Sequence, residues 1–132
     1  MAQKEFVFLY PILQIINIEI ENHGWSHEGG SKKFRIKYGN MLNECVDLRY
    51  RQKDFRINWA IFDDCSVSKV IKIQSSDRII KVGLDFKNHI AKEIYPDQNY
   101  ILSQLNGVQI IKIAGFHMWD CVEKLAKRAY EI

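Results

Sequence analysis

The chain of 132 residues has the length of one ordinary domain, so we expect a single domain over residues 1–132. Apolar residues make up 47% and charged residues 27% of the sequence, a balance that excludes a disordered or low-complexity chain. The net charge is only +3, but residues 32–56 hold eight basic and three acidic side chains, so the positive charge is concentrated in one segment.

The first apolar stretch, residues 6–20, is interrupted by Pro11, Gln14, Asn17 and Glu19. It therefore lacks the roughly 20 consecutive apolar residues that a membrane span needs. It also lacks the charged start and the small-residue cleavage pattern of a signal peptide. The three cysteines are widely spaced without a CxxC pair, which is typical of reduced thiols. We expect a cytoplasmic protein that does not bind a membrane.

Alternation of apolar and polar side chains is the signature of strands with one buried face, and it recurs along this chain. Four segments show it: residues 16–20, 34–38, 46–50 and 55–61. Turn residues indicate two further hairpins, one at 75–77 between the apolar segments 70–73 and 79–86, and one at Asn106-Gly107 before residues 108–113. Because the strands alternate instead of being apolar throughout, we predict antiparallel pairing.

The last segment of the chain has a helical pattern. From residue 117 onward, apolar side chains recur at helical spacing, and Lys127 and Arg128 fall in the last turns, where cations suit the helix dipole. The apolar stripe consists of Met118, Cys121, Val122, Leu125 and Ala129. Residues 86–95 fit either a short helix or a loop.

These elements predict an α+β fold: a mainly antiparallel sheet, or a small partly open β-barrel, of seven to eight strands with one C-terminal amphipathic helix. The order of the predicted elements resembles a pleckstrin-homology-like barrel at the level of architecture. No motif of that family is present, so the resemblance implies nothing about function.

The basic segment contains a row of cationic side chains that alternates with apolar ones through a predicted hairpin. Arginine presents a planar fork of donors that grips phosphate or carboxylate, so such a row on an exposed sheet face is suited to binding anions. The predicted anion-binding residues are Lys33, Arg35, Arg49, Arg51, Lys53 and Arg56. The alternative is a solvated face that keeps a sheet edge soluble.

Residues 22–32 form a glycine-rich connection with His23, Trp25 and His27, which we predict to be a partner-binding loop because exposed tryptophan dominates many interfaces. The alternative is a lid in which Trp25 covers one end of the core. His23 and His27 stand four residues apart, but the glycines disfavour the helix that would make them ligands of one metal ion. We therefore predict no metal site.

Asp85-Phe86-Lys87, with Asp63 and Asp64 upstream, is the one group of residues with a catalytic pattern. It resembles the paired acids and lysine of the PD-(D/E)xK nucleases, and the resemblance implies Mg²⁺ held by the carboxylates and water activated near Lys87. The sequence departs from that family in having no acidic helix before the predicted hairpin. It also contains no GxGxxG, GxxxxGK[ST] or GxSxG motif.

We therefore predict a non-enzymatic binding protein without catalytic residues or a cofactor. It would use the basic face and the tryptophan loop to bind an anionic target, which is nucleic acid, a nucleotide or an acidic protein surface. One alternative is a protein-directed inhibitor or immunity-type protein of microbial or phage origin. A second alternative is a small metal-dependent nuclease that uses Asp85 and Lys87. The sequence leaves the oligomeric state open.

Overall fold

The computed structural model describes residues 3–22, 31–105, 110–115 and 122–131. In that part of the chain four strands form one sheet in the order β3-β2-β1-β4, and every neighbouring pair is parallel. The strands are β1 (Lys4–Leu9), β2 (Arg56–Ile61), β3 (Arg78–Lys81) and β4 (Ile110–Gly115). The predicted mainly antiparallel sheet or partly open barrel of seven to eight strands is therefore wrong, and the likeness to a pleckstrin-homology-like barrel fails with it.

The number of helices also differs from the prediction, which had one C-terminal helix and left residues 86–95 open. The described residues form α1 (Leu13–Asn22), α2 (Ser31–Arg49), α3 (Phe86–Lys92), α4 (Gln98–Ser103) and α5 (Glu123–Glu131), with a 3-10 turn at Arg51–Lys53. Helix α5 lies within the segment predicted to be helical, and α3 resolves the open choice for residues 86–95 in favour of a short helix. Residues 70–73, predicted as a strand, have no regular structure.

Three predicted strands lie inside helices because their alternation is only part of a helical pattern. Residues 16–20 belong to α1, residues 34–38 belong to α2, and residues 46–50 belong to α2 except for the last, which follows the helix. In α2, Tyr38 and Leu42 are half-buried and Val46 is buried, which is the four-residue spacing of a helix face. Ile36 and Leu48, which the alternation predicted to be buried, are 50% and 51% exposed.

The central strand β1 is buried on both faces, as expected for a parallel sheet between layers of helices. Val7 and Leu9 point into one core, to which α4 and α5 contribute, whereas Phe6 and Phe8 point into a second core that contains Val46 of α2. The helices therefore cover opposite faces of the sheet. The fold is a small, doubly wound α/β arrangement.

The strand order determines where a ligand can bind. The chain adds β2 and then β3 on one side of β1, and it crosses to the other side of β1 for β4. In open parallel sheets of this kind, ligands bind beyond the carboxyl ends of the strands, preferentially where the strand order reverses, here between β1 and β4. We call this side of the sheet the carboxyl edge and the opposite side the amino edge.

Candidate ligand-binding groove

An open groove with a volume of about 620 Å³ lies at the carboxyl edge, and we call it the carboxyl-edge groove. Its walls are the first turn of α1, the first half of α2 and the segment 64–70 that follows β2. The lining residues are Leu13, Gln14, Arg35, Ile36, Asp64, Cys65, Ser66, Val67, Ser68, Lys69 and Val70. Its size falls within the range of small-molecule pockets, roughly 300–1,000 Å³.

The turn after β1 connects two of these walls by hydrogen bonds. Tyr10 adopts a left-handed backbone conformation with φ of 71°, which turns the chain out of β1 toward α1. Its N–H donates to the carbonyl of Ala60 at 2.8 Å, and its ring stacks on Phe62 with centroids 4.5 Å apart. The next carbonyl, of Pro11, accepts the N–H of Ser68 at 2.8 Å. The entry to α1 is thereby tied to the segment 64–70.

Two cations line the groove. Arg35 of α2 donates from Nη1 to Oδ1 of Asn17 in α1 at 3.1 Å, a bond that orients the guanidinium while leaving further N–H donors available. Lys69 is exposed in the segment after β2. Together the two side chains give the groove the positive charge that an anionic ligand requires.

One carboxylate also lines the groove. Oδ1 of Asp64 accepts the backbone N–H of Phe86 at 2.8 Å, and this hydrogen bond is the main reason that the pKa of Asp64 is lowered from its ordinary value. Asp64 is therefore ionised at neutral pH. Burial raises the pKa of the neighbouring Cys65 thiol to about 11, with the negative charge of Asp64 adding to the effect. This thiol stays protonated at neutral pH and is not a nucleophile there.

The six predicted anion-binding residues do not share a sheet face. Lys33, Arg35 and Arg49 belong to α2, Arg51 and Lys53 form the 3-10 turn, and Arg56 begins β2. Arg35 lines the carboxyl-edge groove, whereas the 3-10 turn and Arg56 lie near the amino edge. Lys33, Arg49 and Lys53 are exposed. The geometry assumed in the sequence analysis is therefore wrong, while anion binding by these side chains stays a prediction.

Arg51 has an internal role. Its guanidinium forms a two-pronged ion pair with Asp77 just before β3, and its Nε donates to Asp47 at 2.7 Å. The Asp77 side chain is only 1% exposed, and it also accepts hydrogen bonds from Nε1 of Trp59 and the N–H of Gln74, each at 3.0 Å. Arg51 thus secures the segment before β3, and these bonds use three of its five N–H donors.

Arg56 lies beside a buried carboxylate at the amino edge. Glu5 is fully buried, and its Oε1 lies 3.6 Å from Nε of Arg56 and 3.3 Å from Nη2 of Arg78. Its other oxygen accepts from Nδ2 of Asn58 at 2.8 Å. Because a buried carboxylate is costly without partners, these contacts compensate the burial of Glu5 and join the starts of three strands.

The residues that resemble a nuclease site organise the loop between β3 and α3. Asp85 caps the start of α3, with both of its carboxylate oxygens accepting hydrogen bonds from Asn88. The bond from the Asn88 side chain is the main cause of a lowered pKa of Asp85. Asp63 accepts the N–H of Gly83 at 2.9 Å, while Lys87 is exposed on α3. Within residues 3–22, 31–105, 110–115 and 122–131, no three His, Cys, Asp or Glu side chains cluster to hold a metal ion.

The predicted loop residues His23, Trp25 and His27 lie outside the described residues, as do the Asn106-Gly107 turn, His117 and Cys121. The sequence analysis did not select Lys69, which lines the groove, and it assigned Asp64 to a different site. The feature of the sequence that could have located this groove was the pair Asp63-Asp64 directly after the apolar segment 57–62. Read as the end of a parallel strand, that pair would have marked the carboxyl edge.

Fold and groove together define a class: a parallel α/β protein with a ligand-sized groove at the carboxyl edge of its sheet. Comparison of the chain with known protein families, with curated proteins and with solved structures finds no significant match. In the part of the chain that the structure describes, no helix combines the length and the apolar character needed to cross a membrane.

Proposed function

We propose that this protein binds a nucleotide-sized organic anion in the carboxyl-edge groove. The observation that carries the proposal is the presence of two cations, Arg35 and Lys69, on a groove of about 620 Å³ at the edge of the sheet where ligands bind in this class of fold. Of the three anionic partners predicted from the sequence, a nucleotide fits a groove of this size best.

The anionic part of the ligand would lie between Arg35 and Lys69. The bond from Arg35 to Asn17 uses one N–H and restricts the guanidinium, so less side-chain entropy is lost when the remaining donors bind an anion. The hydroxyl of Ser66, on the exposed segment that lines the groove, supplies a further donor. This set of donors suits a phosphate or a carboxylate group.

A planar, apolar part of the ligand has contact surface in the same groove. Leu13 is 46% exposed and Ile36 is 50% exposed, although both are large aliphatic side chains. Covering such side chains with a nucleobase removes apolar area from water, which favours binding by about 25 cal/mol per Å². The groove thus combines charged donors with apolar surface, as small-molecule sites do.

The other predicted targets have less support. A nucleic acid or an acidic protein needs an extended basic surface, whereas Arg51 and Arg56 lie against buried carboxylates. The inhibitor alternative rests on Trp25, outside the described residues, and stays a prediction. The nuclease alternative also stays a prediction, although Asp85 is engaged in capping α3. That the protein is not an enzyme likewise remains a prediction.

The test is a titration of the ¹⁵N-labelled protein with adenosine 5′-monophosphate, followed by nuclear magnetic resonance. We expect the largest shift changes at the amides of residues 66–70 and at the Arg35 side chain. Arg35→Gln and Lys69→Gln should each weaken binding about tenfold or more, because a hydrogen bond to a charged group contributes about 1.5–3 kcal/mol. Added salt should also weaken binding, since both cations face solvent.

Matched controls are Arg49→Gln and Lys53→Gln, which remove exposed cations that do not line the groove. These variants should bind adenosine 5′-monophosphate as the parent does. If the nucleotide causes no saturable shifts, or if the control substitutions weaken binding as much as those in the groove, the proposed site is wrong.

A further inference from the structure

Asp64 places a negative charge on a groove whose other charged side chains, among the residues that the structure describes, are the cations Arg35 and Lys69. For a ligand that is only an anion, this carboxylate is a source of repulsion. For an anion that also carries an N–H donor, the same carboxylate is a recognition group, because the site then matches the ligand at both ends. The mixed charge of the lining therefore favours a ligand that carries both an anionic group and an N–H donor.

One oxygen of this carboxylate is hydrogen-bonded to the protein. Its Oδ1 accepts the N–H of Phe86, the first residue of α3, at 2.8 Å, and Sγ of Cys65 lies 3.6 Å from the same oxygen. Among the described residues, the bonds to Asp64 from other residues go to Oδ1. Because the side chain is exposed and lines the groove, Oδ2 is accessible as an acceptor.

We propose that Oδ2 of Asp64 accepts a hydrogen bond from an amino group of the ligand, so that the groove selects amine-bearing organic anions over otherwise identical anions without the amine. This inference rests on the proposed function and specifies its ligand class. A ligand without the amine leaves the ionised carboxylate facing an apolar ring edge without a donor. Such an unpaired polar group is what gives binding sites their discrimination between close analogues.

The test compares adenosine 5′-monophosphate with purine riboside 5′-monophosphate, which has the same phosphate, ribose and ring system but lacks the amino group. Dissociation constants come from isothermal titration calorimetry or from the resonance shifts. The parent protein should bind adenosine 5′-monophosphate about tenfold more tightly, as expected for one hydrogen bond to a charged acceptor.

Asp64→Asn is the informative variant. The asparagine oxygen can still accept the N–H of Phe86, whereas the amide nitrogen replaces Oδ2 by a donor, which opposes the amino group of the ligand. We expect the preference for the amine to be lost or reversed while the purine nucleotide still binds. Asp63→Asn is the matched control, because Asp63 makes an equivalent bond to Gly83 but does not line the groove. It should keep the tenfold preference.

The outcomes separate the two proposals. Equal affinity of the parent protein for the two nucleotides overturns the role of Asp64 and leaves the anion site intact, and this result needs no variant to fold. An undiminished preference in Asp64→Asn overturns it as well. If neither nucleotide binds, the proposed function fails, and the inference about Asp64 fails with it.

Discussion

Asp77 shows how a single charged residue is used inside this fold. Burial alone would raise its pKa, but hydrogen bonds from Arg51, from the N–H of Gln74 and from Trp59 outweigh burial, and the pKa of Asp77 is lowered. The same pairing raises the pKa of Arg51. Because these contacts join the 3-10 turn, β2 and the segment before β3, the carboxylate links elements that are distant in the sequence.

Asp77→Asn should lower the free energy of unfolding at pH 7 by about 3 kcal/mol, since it leaves a largely buried arginine with only the half-exposed Asp47 as counter-ion. A carboxylate whose pKa is lowered by folding stabilises the protein above its unfolded pKa of about 3.9, and that stabilisation is lost as the pH falls through the folded value. Urea denaturation of the variant should therefore show a smaller loss of stability between pH 5 and pH 2.

Asp54→Asn is the control for this pair, because Asp54 is exposed and its left-handed conformation, with φ of 66°, is one that asparagine tolerates. It should change the free energy of unfolding by less than about 0.5 kcal/mol. A similar, small effect of Asp77→Asn would mean that the ion pair with Arg51 contributes little to the fold.

At the scale of elements, α2 is held close to the segment after β2 by Gly39. A Cβ built on Gly39 would lie 2.6 Å from Cβ of Val70 and 2.9 Å from the carbonyl oxygen of Val70. Asn43, one turn further along α2, donates to the same carbonyl at 2.9 Å and accepts the N–H of Lys72 at 3.0 Å. The glycine is therefore required by this close approach, and it allows one wall of the groove to contact another.

Gly39→Ala should destabilise the protein by about 1–3 kcal/mol, because the added methyl group overpacks against backbone that cannot easily move. Intrinsic helix propensity alone predicts the opposite, a gain of about 0.5–1 kcal/mol. The sign measured by urea denaturation therefore distinguishes the two effects. Asn40→Ala, at an exposed position of the same helix, should be neutral or stabilising. A stabilised Gly39→Ala variant would show that α2 does not pack this closely.

On the scale of the whole molecule, stability should be greatest in the middle of the sheet. Strand β1 pairs with β2 on one side and with β4 on the other, and its side chains contribute to both cores. Strand β4 pairs with β1 alone in the described part of the chain. The N–H of Ile110 points toward β1 and donates to the carbonyl of Gln3. Because successive residues of a strand face opposite sides, the N–H groups of Ile111 and Ile113 point away from β1.

Amide hydrogen exchange followed by nuclear magnetic resonance should reflect this order. We expect the amides of Val7 and Phe8 in β1 to exchange only through global unfolding, and those of Ile111 and Ile113 to exchange faster than that of Lys112. Equal protection of Ile111, Lys112 and Ile113 would contradict the assignment of β4 as an edge strand with a single partner.

The positions of several elements could be predicted from the sequence, but the way they combine could not. The segments around β2, β3, β4 and α5 were predicted because an apolar pattern indicates which residues are buried. Residues 16–20 and 34–38 also alternate, and their assignment to strands removed the helices that a parallel crossover requires. Without those crossovers, and with residues 46–50 also assigned to a strand, neighbouring strands could only be joined as antiparallel hairpins, so a few local errors changed the whole topology.

The amino-acid sequence by itself determined the composition of a packed domain, the concentration of positive charge in residues 32–56 and the amphipathic pattern of the last helix. These properties depend on neighbouring residues. Only the tertiary structure decided that the sheet is parallel, that Arg51 pairs with Asp77, and that Arg35, Asp64 and Lys69 line one groove. The strand pairs join residues 20 to 106 positions apart, and Arg51 and Asp77 are 26 positions apart. These contacts form because burial of two cores brings the elements together, which local periodicity does not encode.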